Sequence, residues 1–207
     1  MNAITHLLDD PVYDRLEACA RRLMDEAGHL LSRLQTMQMD GTQDGRGETA
    51  GSSQPTPLRI SGAEFSRWHT GLEREHIDAT GQALERVSRT IEKSERRLTA
   101  IAAGTGPLDL TGQAAVLVEA TRLLAVLVSR LRRMAEFDRA RGLLGELQVC
   151  DAESTRLATE NLRVLYASAW EPGRLLAVKD LIDLLGEAVE DACEGAHLVW
   201  RIFLKNN

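Results

Sequence analysis

Between Arg174 and Lys205 the apolar residues Leu175, Val178, Ile182, Leu185, Val189, Ala192, Ala196, Val199 and Phe203 recur at alternating intervals of three and four. An α-helix turns through about 100° per residue, so these intervals place the whole set on one stripe. A stripe sustained over about four heptads has to be buried against other helices, and that requirement excludes most architectures except a helix bundle.

The rest of the chain repeats the pattern. Leu16, Ala20, Leu23, Ala27, Leu30, Leu34 and Met37 form a second stripe, on a helix that Pro11 opens with Asp10 as N-cap. Residues 40–57 then turn to Gly, Ser, Thr, Gln and Pro, a composition that predicts a flexible loop. Ser61 and Glu64 have capping-box spacing, and Phe65, Trp68, Leu72, Ala79 and Ala83 follow at helical intervals, so a helix is predicted toward Ala103, with Gly71 and Gly81 as points where it can bend. A third helix is predicted from Leu108 to Met134, a turn at Gly142 and Gly145, and a fourth helix from Glu146 to Ala169. Glu171, Pro172 and Gly173 separate it from the last. No strand-like alternation competes with these helices. The expected fold is one all-α domain over residues 1–207, an antiparallel bundle of about five to six helices.

Composition narrows the function classes. A net charge of -6 argues against bulk electrostatic binding of nucleic acid. The local basic run Arg130, Arg132 and Arg133 reads as a solvated helix face or as a phosphate or partner contact. Cys19, Cys150 and Cys193 are too widely spaced for a zinc module or a disulfide framework and read as packing residues in a reduced setting. Met1 to Asp10 carries acids and a histidine in place of a basic-then-apolar leader, and the apolar stretch Gln113 to Ser129 is broken by Glu119 and Arg122, so a cytoplasmic location is expected. Phosphate loops, dinucleotide-binding glycine motifs and nucleophile elbows do not occur. Trp68, Trp170 and Trp200 read as core or boundary anchors, and Trp200 can also face a partner.

On the last helix, Asp183, Glu187, Glu190, Glu194, His197 and Arg201 fall along one flank beside the apolar stripe. Clustered carboxylates can hold a cation, because the metal relieves their mutual repulsion; the alternative is a solvated acidic face. A second constellation comes from Glu73 with His76 and Glu194 with His197, both reading E-x-x-H. With one Glu from each of two other helices, Glu17 or Glu26 and Glu119 or Glu146, this is the ligand set of a ferritin-like di-iron carboxylate oxidoreductase. A hydrogen-bonded core histidine is the competing reading of His76.

The run VKDLIDLLGEAVEDACEGAHLVWRIFLKN, from Val178 to Asn206, resembles the C-terminal helix of PhoU-like phosphate-transport accessory proteins, including the short ones that accompany Pit-type transporters. LVEATRLLAVLVSRLRRM from Leu117 and CDAESTRLATENLRVLY ending at Tyr166 occur in the order and spacing of the two preceding family helices, so the resemblance covers roughly the last 90 residues. In the first half it rests on LEREHIDA, from Leu72 to Ala79. The resemblance implies a bundle built from three-helix repeats, a non-enzymatic regulator of inorganic phosphate transport and a membrane phosphate transporter as partner, while the strict seam on the last helix offers a surface for a homodimer. A cytoplasmic protein held at the inner membrane face through that transporter follows. It also implies acidic (Glu/Asp)-x-x-x-Asp motifs for a divalent or ferric ion. The matching positions are Gly186 and Glu190, Asp151 and Thr155, and Arg74 and Asp78, with Glu73 or Glu75 entering on a small shift. With Glu187 and Glu194 from the acidic flank, the candidate metal residues are Glu75, Asp78, Asp151, Glu187, Glu190 and Glu194, and one surviving acid at each motif implies a single weakly held ion or none.

Overall fold

The computed structural model describes residues 11–40, 71–101, 108–132 and 136–206. These form five helices, with no strand among the described residues: α1 (Pro11–Asp40), α2 (Gly71–Ala100), α3 (Thr111–Ser129, continued by a 3₁₀ turn over Arg130–Arg132), α4 (Phe137–Ala167) and α5 (Pro172–Asn206). The chain is an all-α helical bundle of about five helices. No described helix is long and apolar enough to cross a membrane.

Cross-helix pairs fix the directions. Glu26–Ser88, His29–Glu95 and Arg33–Thr99 advance together, so α1 and α2 run parallel. Arg97–Asp180 and Arg86–Glu194 advance oppositely, so α5 runs back along α2. Arg132 reaches Glu17 near the start of α1, which makes α3 antiparallel to α1. α1, α2, α5 and α3 pack as a four-helix ring, and α4 lies outside it, against α3 and α5. α3 carries only Glu119 and Arg122 as charges, and these pair with each other at 2.6 Å, leaving Leu117, Ala120, Leu123, Leu124 and Leu127 fully buried.

The two predicted stripes are core. From Leu16 to Leu34 every stripe residue on α1 is buried, and so is every one from Val178 to Phe203 on α5; Met37 and Leu175 are half-buried at the ends. Pro172 opens α5 two residues earlier than predicted, since proline's missing N–H costs nothing in the first turn.

Other boundaries are corrected. Gly142 and Gly145 lie inside α4, not in a turn, and α4 begins at Phe137. Around both glycines a methyl group would meet nothing within 4 Å, so neither is there for a close approach, and the docking of Phe137, Ala140 and Leu147 carries the helix across them. Gly81 sits buried in uninterrupted α2. The third helix leaves α geometry at Ser129, short of Met134, and Met134 lies outside the described residues. Asp40 is still helical, and the rest of the predicted 40–57 loop lies outside the described residues, as do Asp10, the Ser61–Glu64 cap, Phe65, Trp68, Arg133 and Ala103.

Candidate functional site: the acidic flank of the last helix

The acids of α5 face two environments. Asp180, Glu187, Asp191 and Glu194 lie along the boundary with α2, which meets them with cations at matching intervals. Arg97 pairs with Asp180 at 2.8 Å and Arg86 with Glu194 at 2.7 Å; Arg86 also approaches Asp191 at 3.6 Å, and Lys93 approaches Glu187 at 4.0 Å. Thr90 donates to Asp191 at 3.1 Å. Asp183 is paired along its own helix with Lys179. Glu190 and His197 stand in solvent. Of the acids on the flank that the sequence presents as a cluster, Glu187 and Glu194 thus belong, with Asp180 and Asp191, to an interhelical ion-pair ladder. Its members are partly exposed, so each pair contributes little to stability, about 0–1 kcal/mol. A nearby guanidinium opposes any cation that would compete for the same carboxylate.

The lower part of this boundary opens into a groove of about 500 Å³, lined by Lys93, Arg96, Arg97, Asp180, Asp183 and Glu187. Charges of both signs alternate across it, and Arg96 is itself paired along α2 with Glu92.

The six candidate metal residues are dispersed. Glu187 and Glu194 belong to the α2 ladder. Glu75 is exposed and Asp78 half-buried on α2. Asp151 of α4 and Glu190 of α5 are exposed, and the structure brings both close enough to Cys193 to act on its thiol. No group of three or more His, Cys, Asp or Glu side chains is arranged to hold a metal ion among the described residues. The carboxylates considered for a di-iron centre have other partners: Glu17 pairs with Arg132 at 2.6 Å, Glu26 accepts from Ser88 at 2.8 Å, and Glu119 is held by Arg122. Glu146 is exposed on α4, and His76 is half-buried on α2; the side chain of Glu73 lies outside the described residues.

The basic run after α3 is neither a solvated face nor an anion site where it is described. Arg132 clamps Glu17 and Asp14 of α1, and Arg130 holds Glu136 at the approach to α4. The cysteines are free and packed. Cys193 donates to the Leu147 carbonyl at 3.4 Å, and burial, helped by the charges of Asp151, Cys150 and Glu190, pushes its thiol up to about 12. Burial also raises the thiols of Cys19 and Cys150. Trp200 stacks against Phe137 at 4.6 Å and Trp170 lies under the Arg174 guanidinium at 4.8 Å, both half-buried, as boundary anchors are.

One site was missed from the sequence. Gln113, fully buried on α3, donates through Nε2 to the Ile182 carbonyl of α5 at 2.9 Å, while its Oε1 accepts from Asn161 Nδ2 of α4 at 3.3 Å. It joins three helices. Gly186 of α5 lies beside this amide: a methyl group there would stand 3.9 Å from Gln113 Nε2. The only signal for this network in the sequence was a pair of amides at otherwise apolar seam positions.

In comparisons with known proteins, the sequence matches no family model and no curated protein.

Proposed function

We propose that this chain is a non-enzymatic, PhoU-like accessory protein that regulates inorganic phosphate transport by contacting a membrane phosphate transporter from the cytoplasmic side. One observation carries the reading. The three sequence segments that resemble the family, from Leu117, up to Tyr166 and from Val178, fall on α3, α4 and α5, three consecutive helices that pack on one another. The segments that resemble the family thus occupy one contiguous structural unit and not scattered surface runs. The remaining support is chemical. Most of the α5 acids are engaged with α2, which favours an interaction role over tight metal binding. The exposed residues Glu190, His197, Arg201 and Leu204 give α5 an outer face for a protein partner.

Copurification tests it. A tagged copy is expected to retain a phosphate transporter from solubilised membranes, and Glu190→Arg combined with Arg201→Glu is expected to reduce recovery about tenfold at unchanged melting temperature. A deletion strain with unaltered phosphate uptake, together with no transporter in the eluate, overturns the proposal.

A further inference from the structure

Helix α4 is attached differently from its neighbours. Its buried positions are Ala140, Leu147, Ser154, Asn161 and Leu165, the first four recurring every seven residues, with Leu143, Leu144, Ala158 and Leu162 partly buried against the core beside them. Two of the five are polar. Ser154 Oγ has no hydrogen-bond partner among the described residues, although the residue is only 2% exposed. On α5, by contrast, the corresponding inward face is Leu181, Ile182, Leu185, Val189, Val199 and Phe203.

The polar ties differ as well. The ion pairs of α4 are internal, Glu153 with Arg156 at 2.7 Å and Glu160 with Arg163 at 2.9 Å. Among the described residues, its hydrogen bonds to α3 and α5 are the long Asn161–Gln113 contact and the sulfur bond from Cys193 to the Leu147 carbonyl. The shorter bond of Gln113 runs to the Ile182 carbonyl of α5 and involves no residue of α4. Releasing α4 therefore leaves the α3–α5 link and the α2–α5 ion-pair ladder intact. It also returns the Ser154 hydroxyl and the Asn161 amide to water, which offsets part of the apolar burial lost at Leu147, Leu165 and the Phe137–Trp200 stack.

From this asymmetry we infer that α4 undocks and redocks as a single unit while the ring of α1, α2, α3 and α5 stays closed, so that α4 is the switchable element of the fold. Local opening below the global unfolding free energy is the physical basis of such a device. The inference is independent of the proposed transporter contact.

Amide hydrogen exchange on the intact chain, read by mass spectrometry, tests it. The amides of α4 are expected to exchange together, with protection at least tenfold below those of α3 and α5. Ser154→Ala removes the orphaned hydroxyl without opening a large void, and is expected to raise α4 protection about tenfold while leaving α2 and α5 unchanged. Equal protection of α4 and α5 in the parent protein overturns the inference. So does a Ser154→Ala effect of the same size in every helix, since that marks a contribution to global stability only.

Discussion

Truncation of Gln113 to alanine should cost about 3 kcal/mol of stability, a figure that follows from what the side chain touches. The residue is fully buried, and its amide bonds both the Ile182 carbonyl and Asn161. Losing the two bonds contributes roughly 1 kcal/mol each, at the usual net worth of a protein hydrogen bond. The missing atoms leave a void of roughly 50 Å³, which at about 24 cal/mol per Å³ adds about 1 kcal/mol. Asn161, only 8% exposed, is then left without its partner, which pushes the cost upward. For a chain of this size the melting temperature should fall by about 6–12 °C. Urea denaturation gives the free energy directly, provided the slope of the transition is unchanged. Asn161→Ala supplies the second arm of a double-mutant cycle, in which the two changes should couple by at least about 0.5 kcal/mol because they share one hydrogen bond. A loss below about 1 kcal/mol, or strict additivity with Asn161→Ala, would refute the amide network as a structural tie.

Burial raises the Glu26 carboxyl above its ordinary 4.5, against the opposing effects of the Ser88 hydrogen bond and Arg22. The folded state then holds that proton more tightly than the unfolded state, so the contribution is fully present below pH 4.5 and is lost as pH rises through the raised value. Glu26→Gln should therefore gain stability relative to the parent as pH rises above 4.5, read as urea midpoints, and a difference that stays flat with pH refutes the assignment. Gly142→Ala and Gly145→Ala should each stabilise by about 0.5–1 kcal/mol, since each added methyl meets open space inside a helix; a lower melting temperature for either would show the glycine to be required. With its thiol near 12, Cys193 should react with iodoacetamide at pH 8 at least a hundredfold more slowly than free cysteine, about tenfold faster with each added pH unit, and comparable rates would place the sulfur outside the core.

The apolar framework of this fold was legible in the sequence because apolar spacing reports directly on what a helix buries. The stripes on α1 and α5 needed no other information. Boundaries were harder where a local preference competed with packing: Gly142 and Gly145 predict a turn on propensity, yet Phe137 against Trp200 and Leu147 in the seam hold the helix through them. The acidic flank of α5 was visible as a pattern, but its partners were not. Arg86, Lys93 and Arg97 lie about a hundred residues away, and only the antiparallel packing of α2 reveals that their spacing matches that of Glu194, Glu187 and Asp180. The buried amides were the least legible feature, because a lone Gln on an apolar helix reads as an imperfection until the carbonyl and the second amide it meets are known.

Register is where these polar features and the apolar stripes divide the work. A seam that repeats every seven residues can slide by a heptad and still bury leucine against leucine, so apolar periodicity alone leaves the relative height of the helices underdetermined. Gln113 removes that freedom for α3 and α5, because only one height presents the Ile182 carbonyl to Nε2 with Gly186 leaving room beside it. For α2 and α5, sliding one heptad toward the C-terminus of α5 would set Arg86 opposite Arg201 in place of Glu194, exchanging an attraction for a repulsion. On α4 the corresponding ties are Asn161, whose contact with Gln113 is the longer of the two amide bonds, the Leu147 carbonyl that accepts from Cys193, and the Phe137–Trp200 stack. None of these ties is an ion pair among the described residues, and the same seam carries an unmet hydroxyl, so both properties lower the barrier to α4 leaving the core together with its own intact ion pairs.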